Sequence, residues 1–264
     1  MATPRTLVFG DDGSSPADTA WLWINNHRWP GWRVVALTAV MPEIGPPVPP
    51  ELAAPHPWDP PEPRVALPSS GIATVEHARR VMDPRLALST LDPAPDLLVV
   101  GPTGRGFLKA LHLGSTTDWL LGDPPAPLVI ARSARRADRV VVCVDGSPHA
   151  QRAVEVFAGL PLAQGADVTL LAVRGGRART EEGIAAAAPV LEEAGATVSP
   201  VEVDGRVTRT ILDHVDHHQA ALVVLGTRGI APLPRLRVGS TASAVARNAA
   251  CSVLTVSAGP PQEG

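Results

Sequence analysis

The sequence has no tyrosine, a single lysine and only two cysteines among 264 residues. The cysteines, Cys143 and Cys251, stand alone in strand-like apolar stretches, which predicts buried, reduced thiols. The lone lysine belongs to no glycine-rich loop ending in Lys-Ser or Lys-Thr, which excludes that class of phosphate loop. Ser14 and Ser147 lack the flanking glycines of a hydrolase elbow, so no nucleophilic enzyme is predicted.

A strong charge of either sign is also missing. The net charge is −3 and the pI is near 6.2, so no field favours nucleic acid or an anionic membrane. No apolar run reaches transmembrane length, and residues 1–9 lack the pattern of a signal peptide. These features predict a cytoplasmic globular protein that binds neither nucleic acid nor membrane, with length enough for two domains.

The sequence does contain a glycine frame that occurs twice, 125 residues apart. The first copy consists of Gly101, Gly104, Gly114, Ser115 and Thr116. The second copy, at the same spacing, consists of Gly226, Gly229, Gly239, Ser240 and Thr241. Each copy follows an apolar, strand-like run. Backbone amides at a glycine turn and at a helix start attract anions, so the repeat predicts two phosphate sites on two copies of one domain.

The two halves also align where they begin. Each opens with a short apolar strand that ends in Asp-Gly-Ser, at residues 12–14 and 145–147, followed by a helix and a second strand. Asp and Ser oxygens accept the free amides of a first helical turn, so this element predicts a helix cap. Strands that alternate with helices predict a parallel sheet covered on both faces. We place the domains at residues 1–135 and 136–264.

Residues 41–68 form a proline-rich insertion in the first half and contain eleven prolines. Proline removes amide donors and clashes with helix geometry, so the helix expected here is not predicted to form. The insertion is interpreted as a surface excursion. The alternative is a lid or a partner-binding segment, which the presence of Trp58 among the prolines keeps open. On another predicted helix, His214 and His218 are spaced to share a metal, but they fall on its polar flank, and no metal site is predicted.

These motifs resemble those of tandem-domain universal stress proteins, whose nucleotide motif G-x2-G-x9-G-[ST] fits both glycine frames. The resemblance implies an adenine-nucleotide-binding protein, with ATP accompanied by Mg²⁺ or Mn²⁺. It places Asp12 and Asp145, at the end of the first strands, and Val40 and Val173, at the end of the second strands, against the adenosine. The glycines and the Ser-Thr pairs would hold ribose and phosphates.

The implied architecture is α/β, with two tandem Rossmann-like domains. Each would have a five-stranded, mainly parallel sheet with helices on both faces, related by a pseudo-twofold axis. The closing strands near residues 128–130 and 253–256 are apolar edges that need cover, so we expect them to meet across that axis. The chain would then be an intramolecular pseudo-dimer, with a homodimer and an unidentified protein partner left open.

Three functions fit this reading. The first is a stress-response regulator that binds ATP with little or no turnover, since no dedicated set of phosphoryl-transfer residues is visible. The alternatives are a slow ATPase and a scaffold with vestigial pockets. The first site is favoured over the second, because the second spacer contains Pro232 and Pro234, which remove amides that a phosphate would use.

Overall fold

A computed structural model describes residues 4–41, 61–104, 113–174, 179–228 and 238–258. The strands are β1 (Thr6–Gly10), β2 (Arg33–Val40), β3 (Thr74–Val81), β4 (Leu97–Val100), β5 (Leu128–Ile130), β6 (Arg139–Val144), β7 (Asp167–Arg174), β8 (Thr197–Asp204), β9 (Leu222–Gly226) and β10 (Ser252–Val256). The helices are α1 (Ser15–Asn26), α2 (Pro84–Ser89), α3 (Ser115–Gly122), α4 (Pro148–Ala158), α5 (Thr180–Glu193), α6 (Val207–His217) and α7 (Ser240–Asn248). A short 3-10 helix covers Pro68–Ser70. No helix in the described ranges is long and apolar enough to span a membrane.

The strands form one sheet in the order β3-β2-β1-β4-β5-β10-β9-β6-β7-β8. All neighbours are parallel except the central pair, where β5 and β10 run antiparallel with Val129 opposite Leu254. Each half therefore contributes five parallel strands in the same internal order, and the order is symmetric about the centre. This confirms the predicted α/β fold and the meeting of the two closing strands.

Central strands are buried and mostly apolar because helices cover both faces of the sheet. All four residues of β4 and all five of β10 are buried. One apolar layer lies beneath α1, α4 and α5, and another beneath α2, α3, α6 and α7. Four buried tryptophans of the first half, Trp21, Trp23, Trp29 and Trp32, fill the α1 layer, with the rings of Trp23 and Trp29 6.0 Å apart.

The Asp-Gly-Ser elements cap helices as predicted. The Ser14 hydroxyl accepts the Ala17 amide at 3.3 Å, and the Ser147 hydroxyl accepts the Ala150 amide at 3.2 Å. Between β2 and β3 the insertion lies largely in residues 42–60, outside the described residues. The second half has α5 in that place, and its Pro189 is accommodated inside the helix.

The two halves are joined by more than their shared sheet. The Ala137 amide, in the segment before β6, donates to Nε2 of the buried His27 at the C-terminal end of α1, at 2.8 Å. Arg132 donates to the carbonyl of Ala246 at the end of α7. These contacts fix the connecting segment against both halves. The domain boundary at residues 135 and 136 stays a prediction.

Candidate functional site

The candidate site lies at the carboxyl ends of β1, β2 and β4 in the first half. The connection from β1 leads to β2 on one side, whereas β4 lies on the other side of β1. In open parallel sheets this change of direction opens a crevice between strand ends, where ligands bind. A cleft of about 530 Å³ occupies the crevice, a size suited to a small-molecule ligand. Its lining includes Asp12, Leu37, Ala39, Met41, Asp83, Arg85, Leu88, Gly104, Gly114, Ser115 and Thr116.

The glycines of the first frame allow segments of backbone to pack closely around this cleft. A methyl group on Gly101 would lie 2.9 Å from the carbonyl oxygen of Pro16, at the start of α1. A methyl on Gly114 would lie 3.2 Å from the Cα atom of Thr103. A methyl on Gly104 would collide with the carboxylate of Asp12. The glycines are therefore required for the close packing of the loop. The packed loop in turn forms a wall of the cleft.

Helix α3 presents an uncapped start to the cleft. Gly114 is its capping residue and provides no side-chain hydrogen bond, whereas α1 is capped by Ser14. The first amides of a helix lack partners within the helix and carry partial positive charge. Ser115 and Thr116, the first two residues of α3, both line the cleft. The arrangement suits an anionic group held by backbone amides and hydroxyls.

Asp12 is fixed on the floor of the cleft. Its Oδ1 accepts the Ser14 amide at 3.0 Å and the Ser14 hydroxyl at 2.6 Å. Its other carboxylate oxygen faces Gly104. Asp12, Gly104 and Gly114, predicted from separate segments of the sequence, are thus brought together in one cleft.

Val40 does not line the cleft, although the sequence predicted that it faces the ligand. Leu37, Ala39 and Met41 line it instead, because alternate residues of a strand face the same side. Strand pairing explains the difference. Gly10 pairs with Leu37 and Cys143 pairs with Leu171, so the residue equivalent to Val173 is Ala39. By register, Ala39 is the counterpart of Val173, and a contact of Val40 with the ligand stays a prediction.

In the second half the described part of the frame has the same backbone plan. The Gly239 amide donates to the carbonyl of Thr227 at 2.7 Å, and Gly239 caps α7 without a side-chain bond. Asp145 accepts the Ser147 amide at 3.0 Å, and Val173 is buried beside it in β7. Ser240 and Thr241 begin α7. Gly226 ends β9, whereas Gly229 lies outside the described residues.

Comparison with known proteins identifies the family. Residues 174–257 match the model of the Universal stress protein family. The Universal stress protein Slr1230 of Synechocystis is 26% identical over 166 residues, which are 61% of this chain and 57% of that protein. Residues 174–257 therefore belong to the universal stress protein family. The match to Slr1230 spans less than two thirds of that relative.

Solved structures support the fold over nearly the whole length of the chain. A universal stress protein from Archaeoglobus fulgidus superposes with a TM-score of 0.69 over 96% of both chains, at 18% identity. A protein of unknown function from Pseudomonas aeruginosa, PA1789, gives a TM-score of 0.59 over 96% of this chain and 92% of its own, at 14% identity. At these identities the likeness establishes the architecture alone.

Sequence reasoning missed one wall of the cleft. Asp83, Arg85 and Leu88 come from α2 and the turn before it. Two hydrogen bonds join the Arg85 guanidinium to the Asp83 carboxylate, and they hold the pKa of Asp83 below its usual value. The signal available in the sequence was the Asp-Pro pair shortly after a strand, a pattern that is typical of a helix start. Among the described residues, no three His, Cys, Asp or Glu side chains form a metal site.

Gly226 provides a test of the loop packing. A methyl on Gly226 would lie 2.5 Å from the carbonyl carbon of His149, so α4 would have to move. Gly226→Ala is expected to lower the free energy of unfolding by about 2 kcal/mol in a denaturant titration. Gly122→Ala is the control, because nothing lies within 4 Å of the added methyl. Equal stability of the two variants would contradict this packing.

Proposed function

We propose that the first-half cleft binds an adenine nucleotide, ATP, and that the protein is a stress-response regulator with little or no turnover. The observation that carries this proposal is the convergence of Asp12, the glycine loop and the uncapped start of α3 on one cleft. The match of residues 174–257 to the universal stress protein family, together with the repeat of the glycine frame in both halves, supports it. We also propose residues 1–135 and 136–264 as the two domains.

The cleft has two chemically different ends. Leu37, Ala39, Met41 and Leu88 provide apolar surface suited to a purine ring. Gly104, Gly114 and the first turn of α3 provide backbone amides suited to phosphates. Asp12 would accept a hydrogen bond from the ribose or base. The residues therefore fit a nucleotide, with its base toward β2 and its phosphates toward α3.

A divalent cation would be bound mainly through the nucleotide. The hydroxyls of Ser115 and Thr116 lie beside the proposed phosphate position, and hard cations such as Mg²⁺ prefer oxygen ligands together with phosphates. The ion would neutralise phosphate charge. The described lining contains no lysine or histidine that could orient a water for attack. This favours binding over hydrolysis.

Calorimetry with ATP-Mg tests the proposal, with Ala39→Phe as the blocking variant. A phenyl ring at residue 39 would fill the apolar end of the cleft, so binding should weaken at least about tenfold, which corresponds to about 1.4 kcal/mol. Val173→Phe is the matched control at the equivalent place in the second half. Both variants are checked for native near-ultraviolet circular dichroism. Binding retained by Ala39→Phe and lost by Val173→Phe would assign the site to the second half.

Turnover is measured separately as phosphate release at saturating ATP-Mg. We expect saturable binding and a raised melting temperature with little phosphate release, because a ligand of the folded state alone stabilises it. Release on the time scale of ordinary enzymes would favour the ATPase alternative. Absence of both heat and stabilisation at millimolar ATP-Mg would favour vestigial pockets.

A further inference from the structure

We infer that Arg85 binds the phosphate chain of the nucleotide and so makes the first-half site prefer triphosphates over the nucleoside. This inference rests on the proposed function and assigns a role to a residue outside the glycine frame. Arg85 lies in the first turn of α2, on the cleft wall opposite the glycine loop.

Arg85 is positioned over the start of α3. Its guanidinium carbon lies 5.6 Å from the centre of the Trp119 ring. Trp119 is one helical turn after Ser115, so its ring stands on the first turn of α3. The guanidinium therefore lies near the helix end to which the phosphates are assigned.

Asp83 binds one side of the Arg85 guanidinium and leaves the other side available for a ligand. Nε and Nη2 donate to the two carboxylate oxygens of Asp83 at 3.0 and 2.6 Å. The structure gives Nη1 no hydrogen-bond partner among the residues it describes. Because a guanidinium carries five N–H donors in a planar fork, Asp83 orients the group and leaves donors for a second anion. The side chain is 45% exposed, so a ligand can reach it.

The charged residues that line the cleft make Arg85 important for the binding of an anionic ligand. The described lining carries the carboxylates of Asp11, Asp12 and Asp83. Asp11 is already paired with Arg64, which is not a lining residue, and Arg85 is the one basic side chain within that described lining. A triphosphate that enters such a site needs a positive partner. The strand registers place Thr208 at the position equivalent to Arg85 in the second half. The second half therefore has no guanidinium at this position.

The test compares ATP, ADP and adenosine by calorimetry in the full-length wild type, Arg85→Gln and Arg85→Lys. Loss of a charged hydrogen bond should weaken ATP binding of Arg85→Gln about tenfold or more. Adenosine binding should be unchanged, and Arg85→Lys should keep part of the ATP affinity. Arg33→Gln is the control, since Arg33 forms an exposed ion pair with Glu76 away from the cleft.

Each outcome decides between the two claims. Unchanged ATP affinity in Arg85→Gln, with binding intact in the wild type, overturns the role of Arg85 and leaves the proposed function standing. An equal loss of ATP and adenosine affinity also overturns it, because Arg85 would then only shape the cleft. A wild type that binds neither ligand overturns the proposed function itself, and the role of Arg85 falls with it.

Trp119 supplies a second readout. It is 48% exposed, whereas the other tryptophans that the structure describes are buried. ATP bound by Arg85 should change Trp119 emission, and Trp119→Phe should remove that change while keeping an aromatic face for the guanidinium. An emission change that survives in Trp119→Phe would place the ligand away from Arg85.

Discussion

Replacing Arg64 with alanine is expected to destabilise the folded protein by about 3 to 5 kcal/mol. Arg64 binds the Asp11 carboxylate with two hydrogen bonds, Nε to Oδ2 at 2.6 Å and Nη2 to Oδ1 at 2.8 Å. The Asp11 side chain is only 1% exposed. Removing Arg64 leaves a buried carboxylate without its counter-ion, which costs far more than losing a surface ion pair.

The second half provides the matched control for this pair. Val144 occupies the position of Asp11 there, directly before Asp-Gly-Ser. The double variant Asp11→Val with Arg64→Met removes both charges and should recover most of the stability lost in Arg64→Ala. Urea titrations of the three proteins measure the difference. A loss below about 1 kcal/mol in Arg64→Ala would show that water reaches Asp11 and would contradict the described burial.

The Asp11–Arg64 pair also fixes where the proline-rich insertion returns to the fold. The Arg64 amide donates to Nε2 of His77 and the Leu67 amide donates to Oδ1 of Asn25, each at 2.7 Å. The returning end is therefore attached to both β3 and α1. Because Asp11 lines the cleft, this attachment also stabilises the edge of the cleft.

The second large effect is a loss of stability in mild acid caused by His27. Burial lowers the pKa of His27 from 6.5 to about 4, because the charged ring would lose its hydration. In the unfolded chain His27 is therefore protonated as the pH falls through about 6.5, whereas in the folded protein it is protonated only near pH 4. Stability falls as the pH is lowered through this window. A shift of this size corresponds to about 3 kcal/mol.

The physical basis is the junction between the halves. Neutral His27 accepts the Ala137 amide at Nε2 and contacts the Trp23 carbonyl through Nδ1 at 2.6 Å, and a protonated ring has no lone pair for Ala137. The pH dependence of unfolding is measured between pH 7 and 4 for the wild type and His27→Gln. The difference between the two curves isolates His27 from the carboxylates. Parallel curves would refute its role.

The sequence was sufficient for much of this structure. The glycine frames and Asp-Gly-Ser elements are local signals, because each reports a turn or cap formed by neighbouring residues. The register of the second strand differs from an alignment of the two strands by their letters. Leu37-Thr-Ala-Val resembles Leu170-Leu-Ala-Val in letters, but β2 begins 19 residues after Ser14, whereas β7 begins 20 residues after Ser147. A one-residue slip reverses the faces of a strand, and so Ala39 is the counterpart of Val173 by register.

Other parts of the site depend on contacts between distant segments. Arg64 meets Asp11 across 53 residues, and the side chain of Arg85 reaches Trp119 from a different helix. No spacing rule in the sequence brings these residues together, since their positions follow from how the helices pack on the sheet. The cleft wall formed by α2 therefore became visible only in three dimensions.

The most direct test of nucleotide binding in the first half is mass spectrometry of the small molecules held by the protein. Freshly purified wild type, Ala39→Phe and Val173→Phe are loaded with ATP-Mg, desalted rapidly and denatured. We predict adenine nucleotide released from the wild type and Val173→Phe, and much less from Ala39→Phe. Equal release from Ala39→Phe and the wild type, or no adenine nucleotide from any of the three, would contradict a nucleotide site in this cleft.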